Sequence, residues 1–255
     1  HLYRRYQEEQ LSVLFSIITV TCNHLDGLKR THESLRVQNC VDYEWIVIDG
    51  ASSDGTPEYL KTTNAVWLSE PDRGIYDAMN KGIKRARGEY VIFMNAGDAF
   101  AAPDVMEKLA QHAGVDFIYG DALESGAYKS ARSHTKHACG MFTHHQAMIY
   151  RRAAIGDLRY DTNYKIAADY KFTIEFLRRT KTTSCVAYPV CDFEPGGISQ
   201  KKTGLGRKEQ FAIRRELSVC SRGKNVKIYA AQAIAMALRR TMPLLYWWVK
   251  KINRD

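Results

Sequence analysis

The chain has 255 residues, a formal net charge of +9 and an isoelectric point near 9.2, with 45% hydrophobic and 25% charged residues. This is the composition of a globular protein, and its six scattered cysteines argue against a zinc site or a disulfide framework and indicate reduced, mostly buried thiols. The excess of positive charge predicts an anionic partner, which is a nucleic acid, an anionic membrane or a phosphorylated small molecule.

Strand and helix patterns alternate through the first hundred residues. The run from Val91 to Met94 is continuously apolar, as in a strand that is buried on both faces of a parallel sheet. Strands are predicted at 14–21, 44–48, 65–68 and 90–94, and helices at 25–38 and 75–86. This alternation predicts a doubly wound α/β sheet.

The pattern loosens after Asp98. The predicted elements there are helices at 103–112 and 166–178 and strands at 116–119, 147–150 and 184–193. Residues 122–143 lack a clear periodicity and indicate an insertion or a hairpin, and residues 194–206 indicate a glycine-rich, basic loop. The remainder of the chain is predicted to be helical and basic.

Polar groups follow several predicted strands at 19–23, 49–54, 72–80 and 95–98. Ligands of an open α/β sheet bind outside the carboxyl ends of its strands, so these groups are expected at one binding edge. A carboxylate such as Asp98 beside Gly97 suits a hard divalent cation that bridges two phosphates. The turn after the first strand lacks Gly-x-Gly-x-x-Gly, and no Walker motif follows a strand, which disfavours a dinucleotide oxidoreductase and a P-loop enzyme.

Taken together, the motifs resemble those of glycosyltransferase family 2, whose members have the nucleotide-diphospho-sugar transferase (GT-A) fold. The resemblance is closest to the bacterial enzymes that build colanic acid and O-antigen polysaccharides. The motifs occur in family order at 15–21, 45–56, 69–82, 88–98, 145–146, 167–170 and 196–199. Where most of the family has an acidic DXD motif, this chain has Asn95-Ala96-Gly97-Asp98, which leaves one carboxylate.

The resemblance implies a mainly parallel, Rossmann-like sheet flanked by helices. It implies a GT-A catalytic domain at 12–200, with a nucleotide-binding half at 12–98 and an acceptor half at 99–200, followed by a basic amphipathic helical tail at 201–255. The implied activity is an inverting, metal-dependent transfer of a sugar from a nucleotide-sugar, most often a uridine diphosphate (UDP) hexose.

The resemblance also assigns roles to individual residues. Asp98 would bind Mn²⁺ or Mg²⁺. Acceptor or diphosphate contacts fall on His145, Gln146, Gly197 and Ser199. Nucleotide contacts fall on Thr19, Thr21, Asn23, Asp49, Asp77, Asn80, Lys81, Asn95, Ala96 and Gly97, with Asp49 accepting a hydrogen bond from the base.

Asp169 is the candidate general base, because an inverting transfer needs one carboxylate to take the proton of the acceptor hydroxyl. It opens a predicted helix, where the helix N-terminus favours negative charge. That preference also gives the alternative, since an N-terminal Asp is common without catalysis. Capping is likewise the alternative for Asp49, Asp54 and Asp77.

The C-terminal segment combines aromatic and basic residues between Leu238 and Lys251. Such a helix is expected to lie in the headgroup region of a membrane, and packing on the core is the alternative. No apolar stretch reaches the roughly 18 to 20 residues that cross a bilayer, and residues 2–10 are too polar for a signal peptide. The expectation is therefore a cytoplasmic protein, peripheral on the inner face of the cell membrane, that uses a polyprenyl-diphosphate-linked saccharide acceptor.

Two other functions remain open. One is a non-catalytic module on the same fold that binds sugar nucleotides or polyanions. The other is a nucleic-acid binder, but no nucleic-acid partner is expected because aromatic residues are not interleaved with basic ones on a strand platform. The identity of the sugar, the linkage, the acceptor and the donor nucleotide stay open at this point.

Overall fold

A nine-stranded sheet lies at the centre of the computed structural model, which describes residues 13–242 apart from the side chains at positions 239 and 240. The strands are β1 Phe15–Thr21, β2 Tyr43–Asp49, β3 Val66–Ser69, β4 Tyr90–Phe93, β5 Ala99–Phe100, β6 Phe117–Glu124, β7 Ala127–Lys129, β8 Met148–Arg151 and β9 Thr183–Phe193. The α-helices are α1 Leu25–Arg36, α2 Thr56–Leu60, α3 Ile75–Arg85, α4 Val105–Ala110, α5 Arg152–Ile155, α6 Ala168–Arg179, α7 Ile198–Lys201, α8 Thr203–Glu216 and α9 Arg222–Thr241.

The first half of the sheet is parallel, as predicted. Strands β3, β2, β1 and β4 are neighbours in that order, and the β1–β2 pairing ends with Thr21 beside Asp49, which brings their carboxyl ends to one edge. The second half is mixed. Strand β8 runs antiparallel to β4 and β6, β9 runs parallel to β6, and β5 runs antiparallel to β9.

Both faces of the sheet are covered, which explains why the central strands are continuously apolar. Along β4, Val91 and Phe93 pack in one core cluster with α3 and α6, whereas Tyr90 and Ile92 pack in the opposite cluster with α1 and α4. The alternation of side chains along a strand therefore places a hydrophobic layer on each side. The carboxyl end of β4, where Asp98 follows, stays open between these layers.

The segments after Asp98 agree with prediction in one place and differ from it in another. Residues 122–143 contain the β6–β7 hairpin, which is one of the two predicted alternatives, and a 3-10 helix, His134–Cys139. The prediction of a loop through 194–206 is wrong, because α7 and the start of α8 lie there. Gly206 belongs inside α8 for a packing reason, since a Cβ at this position would lie 3.0 Å from Ile166.

All six cysteines are free, but only Cys191 is buried, so the prediction of mostly buried thiols is wrong. Cys22 and Cys139 are exposed because they follow a strand and end a 3-10 helix, where no second layer covers them. None of the helices within residues 13–242 is long and apolar enough to cross a membrane. The aromatic residues at 246–248, on which the membrane prediction rests, lie outside the described residues.

The edge of the sheet opposite the binding edge depends on a close backbone approach at Gly88. A Cβ there would lie 2.6 Å from the backbone nitrogen of Ser16. We expect Gly88→Ala to lower the free energy of unfolding by about 1–3 kcal/mol, because the core must shift to admit one methyl group. Urea denaturation followed by circular dichroism measures this value.

Gly223→Ala is the matched control for Gly88→Ala. The position lies in the first turn of α9, and a Cβ there would meet nothing within 4 Å. This variant should gain up to about 0.4–1 kcal/mol, since alanine loses less backbone freedom on folding than glycine. Equal stability of the two variants would contradict the packing argument.

Candidate active site

A cleft of about 1270 Å³ opens at the carboxyl ends of β1 and β4 and extends to the start of α6 and to α7, α8 and α9. The predicted site residues that line it are Thr21, Asn95, Ala96, Asp98, His145, Gln146, Asp169, Gly197 and Ser199. Those outside its lining are Thr19, Asn23, Asp49, Asp77, Asn80, Lys81 and Gly97. The two carboxylates singled out by the sequence, Asp98 and Asp169, therefore face one shared space.

Asp98 is 3% exposed and is held from two sides. Gln146 Nε2 donates to one carboxylate oxygen at 2.7 Å, and the Glu194 backbone nitrogen donates to the other at 2.9 Å. Burial raises the pKa of Asp98 to about 7, and the nearby charge of Glu194 acts in the same direction, while the two hydrogen bonds oppose the shift. A cation beside Asp98 would stabilise the ionised form of this buried carboxylate.

Further oxygen atoms line the cleft beside Asp98. Asn95 Oδ1 and Thr21 Oγ1 are buried and have no hydrogen-bond partner, although buried polar atoms are normally paired. Glu194 follows β9, and its carboxylate lies 3.6 Å from His24 Nε2. Within residues 13–242 no group of three or more His, Cys, Asp or Glu residues could hold a metal by itself. The oxygens present, the carboxylates of Asp98 and Glu194 and the neutral groups of Asn95 and Thr21, fit a hard cation that keeps waters or ligand oxygens.

Glu194 was missed by the sequence analysis. The residue stands before the glycines of the 196–199 motif, in a segment that the sequence showed only as a basic loop. Its backbone reaches Asp98 because the end of β9 lies beside the turn that follows β4. Sequence spacing of nearly one hundred residues offered no signal for this contact.

Asp169 lies at the second position of α6 and lines the same cleft. The Tyr170 backbone nitrogen donates to its Oδ1 at 2.7 Å, and the Tyr76 hydroxyl donates to the same atom at 3.4 Å. Burial raises the pKa of Asp169 to about 6, and these hydrogen bonds partly offset the shift. A carboxylate with this pKa can exchange a proton near neutral pH.

Glu209 on α8 holds the start of α6 in place. Its carboxylate accepts hydrogen bonds from three consecutive backbone nitrogens, those of Lys165, Ile166 and Ala167, at 2.8–2.9 Å. They lie in the segment that leads into α6, and Ala167 is the N-cap of this helix. The negative charge of Glu209 also raises the pKa of Asp169. Glu209 is thus a positioning residue, and no motif in the sequence would have identified it.

Each residue of the His144-His145-Gln146 segment makes a different contact. Gln146 holds Asp98, as described above. His145 is buried, its Nε2 lies 2.8 Å from the Tyr160 hydroxyl, and burial lowers its pKa to about 3, so it is neutral. Its Nδ1 is buried without a hydrogen-bond partner. His144 stacks on Phe193 with ring centroids 4.5 Å apart and lines the cleft.

The loop after β2 is internally hydrogen-bonded. Asp49 is fully buried and accepts hydrogen bonds from Ser52 and from Ser69, the latter at 2.5 Å. Asn23 is exposed, and its side-chain oxygen accepts from the Ser53 nitrogen at 2.8 Å. Thr19 is buried and accepts from Trp45 Nε1 at 2.9 Å, so its hydroxyl already has a partner inside the core.

The predicted diphosphate contacts on α3 also have protein partners. Asn80 exchanges two hydrogen bonds with the backbone of Tyr160, at 2.8 and 2.9 Å. Lys81 Nζ lies 2.5 Å from Asp72 and 2.8 Å from Glu70. Asp77 accepts from the Arg73 backbone nitrogen at 3.1 Å, which lowers its pKa. Asp54 accepts from the Leu25 nitrogen, at the start of α1, at 2.8 Å and from the Thr56 nitrogen at 3.2 Å.

Sequence comparison assigns the chain to a known family. The model described as Glycosyl transferase family 2 matches residues 16–187. An uncharacterized glycosyltransferase of Mycobacterium tuberculosis is 33% identical over 207 residues, which is 73% of this chain and 77% of that protein.

Solved structures share the fold. TarS of S. aureus in complex with UDP-GlcNAc has a TM-score of 0.68 at 17% identity, covering 86% of this chain and 71% of that chain. Glucosyl-3-phosphoglycerate synthase of Mycobacterium tuberculosis in complex with Mn²⁺, UDP and glucosyl-3-phosphoglycerate has a TM-score of 0.59 at 13% identity, covering 85% and 84%. The mixed sheet flanked by helices is thus a GT-A fold.

Proposed function

Because the chain belongs to glycosyltransferase family 2 and is a glycosyltransferase, we propose that it moves a hexose from a UDP-sugar to a hydroxyl of a saccharide acceptor with inversion. The observation that carries this proposal is the shared cleft of Asp98 and Asp169. One carboxylate lies at the end of the central strand and the other at the start of a helix on the acceptor side. This is the separation of roles that a single-displacement transfer requires.

The donor nucleotide is proposed to lie along the edge formed by the ends of β1, β2 and β4. The buried oxygens of Thr21 and Asn95 without partners supply acceptors there, and the exposed turn at 51–55 leaves room for a base and ribose. The solved complexes of TarS with UDP-GlcNAc and of the mycobacterial synthase with UDP support uridine as the base. Asp49, Asp77, Asn80 and Lys81 are proposed to support this edge through their hydrogen bonds and ion pairs within the protein.

A divalent cation, Mn²⁺ or Mg²⁺, is proposed to be held by Asp98 together with Asn95 and Glu194. When bound, it supplies positive charge that offsets the charge on the leaving diphosphate. The Mn²⁺ in the complex of the mycobacterial synthase supports this assignment. Gln146 and the Glu194 nitrogen orient the Asp98 carboxylate, as second-layer hydrogen bonds orient metal ligands.

Asp169 is proposed to act as the general base. The acceptor oxygen forms a bond to the anomeric carbon while the bond from that carbon to the diphosphate oxygen breaks, and the proton of the acceptor hydroxyl passes to Asp169. Burial makes this carboxylate more basic than an exposed one, and Glu209 holds its helix in position. Gly197 and Ser199, which line the cleft at the start of α7, are placed to contact the acceptor or the diphosphate.

The acceptor is proposed to be a polyprenyl-diphosphate-linked saccharide of a bacterial surface polysaccharide such as O-antigen, used at the inner face of the cell membrane. The basic helices α8 and α9 support this, since both border the cleft. A screen of UDP-, GDP- and dTDP-sugars for thermal stabilisation with and without Mn²⁺ tests the donor proposal. Absence of stabilisation by any nucleotide-sugar would refute it.

The pH dependence of the transfer rate follows from Asp169. A general base acts only when ionised, and the pKa of Asp169 is about 6. At saturating substrate we expect the rate to be constant above neutral pH and to fall about tenfold for each pH unit below 6, because the ionised fraction of Asp169 falls in that proportion. Initial rates between pH 4.5 and 8.5 measure this acidic limb of the pH–rate profile.

Two variants should move this limb in opposite directions. Glu209→Gln removes a negative charge that raises the pKa of Asp169, so its limb should shift to lower pH. Tyr76→Phe removes a hydrogen bond that lowers the pKa of Asp169, so its limb should shift to higher pH. A limb that stays in place in both variants would assign it to a group other than Asp169.

A further inference from the structure

One wall of the cleft is formed by α8 and α9 and is not used by the donor site or by Asp169. It consists of Thr203, Arg207, Gln210, Gln232, Ala235 and Met236. The wall combines a cation, two amides and two apolar side chains. A purely structural contact between two helices does not require a cation and two amides that face a cleft.

Arg207 carries an uncompensated charge. Its Nε and Nη1 are buried without a hydrogen-bond partner, and its guanidinium lies 5.6 Å from the ring centroid of Tyr229. No carboxylate among residues 13–242 forms an ion pair with it. Buried guanidinium groups are normally paired with an anion, so this one is prepared for an anion from outside the chain.

The two helices of this wall offer Arg207 no free carboxylate. Helix α8 has two acidic residues, and both are engaged: Glu209 binds the start of α6, and Glu216 lies 2.5 Å from Lys171 Nζ. Helix α9 contains no acidic residue. The carboxylates of Asp98, Asp169 and Glu194 line the same cleft, but none of them forms an ion pair with Arg207.

Gln232 adds a hydrogen-bond acceptor to the wall. Its Nε2 donates to the Cys139 carbonyl at 3.2 Å and to Gln210 Oε1 at 3.4 Å, which fixes the direction of the amide. Its Oε1 is buried without a partner. A hydroxyl of a bound sugar would satisfy this oxygen, while anionic oxygens would satisfy Arg207.

The wall is attached to the acceptor side of the cleft. Gly206, next to Arg207, packs against Ile166, and Glu209 binds the backbone of residues 165–167. Asp169 follows two residues later on the same segment. A molecule that places an anionic group on Arg207 can therefore present a hydroxyl to Asp169.

We infer that Arg207 and Gln232 bind the acceptor, with the guanidinium on the oxygens of its phosphate or diphosphate ester. This inference rests on the proposed function and adds the contact that would select a phosphorylated acceptor. The planar guanidinium suits two phosphate oxygens at once, which a lysine cannot match. The apolar side chains of Ala235 and Met236 line the same cleft and would accommodate a hydrocarbon chain attached to the phosphate.

Binding of farnesyl diphosphate, measured by calorimetry with and without saturating UDP, tests the inference. Arg207→Gln should weaken binding by about tenfold or more, which corresponds to the loss of one charge-assisted contact, and Arg207→Lys should weaken it less. Lys208→Gln is the matched control, since Lys208 is exposed on the same helix, and it should bind as the wild type does. Farnesol, which has no phosphate, should not show the Arg207 dependence.

Inorganic pyrophosphate distinguishes the two sources of the anion. Binding of pyrophosphate that depends on Arg207 shows that a free phosphate suffices, whereas Arg207-dependent binding of farnesyl diphosphate alone shows that the chain is also recognised, and both support the site. Farnesyl diphosphate binding that is unchanged in Arg207→Gln and Arg207→Lys overturns the inference. So does competition by UDP for the Arg207-dependent binding, since that result would place Arg207 in the donor site. The nucleotide-sugar screen fails or succeeds independently of these measurements.

Discussion

Asp169→Asn is expected to lower the rate of sugar transfer by about 10²–10⁴-fold, the usual contribution of general base catalysis. Asparagine has the same shape and can accept the hydrogen bonds from the Tyr170 nitrogen and the Tyr76 hydroxyl, but it cannot take a proton. Binding of the UDP-sugar should be unchanged if Asp169 contacts the acceptor, as proposed. Transfer rates and nucleotide affinity measured on the same preparation separate the two effects.

Asp26→Asn provides a matched control. Asp26 and Asp169 each occupy the second position of a twelve-residue helix, so both substitutions remove the same favourable interaction with a helix N-terminus. Asp26 is exposed and lies outside the cleft. Its variant should transfer sugar within about twofold of the wild-type rate. Equal losses in the two variants would identify helix stability, and not proton transfer, as the role of Asp169.

Asp98→Asn is expected to abolish the dependence of nucleotide-sugar binding on Mn²⁺ and to lower transfer by about 10²–10³-fold, the scale for one electrostatic contact to the leaving group. The charge is lost, and the amide nitrogen would face either Gln146 Nε2 or the Glu194 nitrogen, both of which are donors. Titration of UDP against wild type and variant, each with and without Mn²⁺, measures the first effect. A variant that retains the Mn²⁺ response would place the cation elsewhere.

Without a cation, Asp98→Asn should become more stable relative to the wild type as the pH rises, although it lowers transfer. The pKa of Asp98 is raised from 3.8 to about 7 in the folded protein, so the wild type binds a proton more tightly when folded than when unfolded. Its free energy of unfolding therefore falls as the pH rises between these two values. The asparagine of the variant does not titrate, so the stability difference should move in favour of the variant over this interval. Urea denaturation at pH 4.5 and pH 7.5 checks the sign.

The nucleotide half of the fold could be predicted because its signals are local. Strand β4 is an uninterrupted apolar run, β1 and β2 are mostly apolar, and strands buried on both faces belong to a covered parallel sheet. Asp98 and Asp169 could be singled out because each stands at the end of a clear element. The mixed half was harder, since β6, β7 and β8 join through hairpins and antiparallel pairs whose register depends on distant partners.

The contacts that complete the site were not predictable from local pattern. Glu194 reaches Asp98 across 96 positions, and Glu209 reaches the start of α6 across more than forty. Thr19 is a predicted contact residue that the structure places in the core. Its position in a family motif suggested a nucleotide contact, but the alternation of side chains along β1 turns it toward Trp45. The motifs identify candidate residues, whereas the direction in which each side chain faces is known only from the structure.

The hydrogen bonds that Glu209 accepts from three backbone nitrogens just before α6 matter for protein engineering. Exchanging the C-terminal helices between related transferases is an obvious route to altered acceptor choice. Here a swap that begins after residue 200 would also replace Glu209, which anchors the start of α6. Chimaeras should therefore keep a glutamate at position 209, or carry the 165–169 segment together with the helices, if a change of acceptor is to be obtained without a loss of turnover.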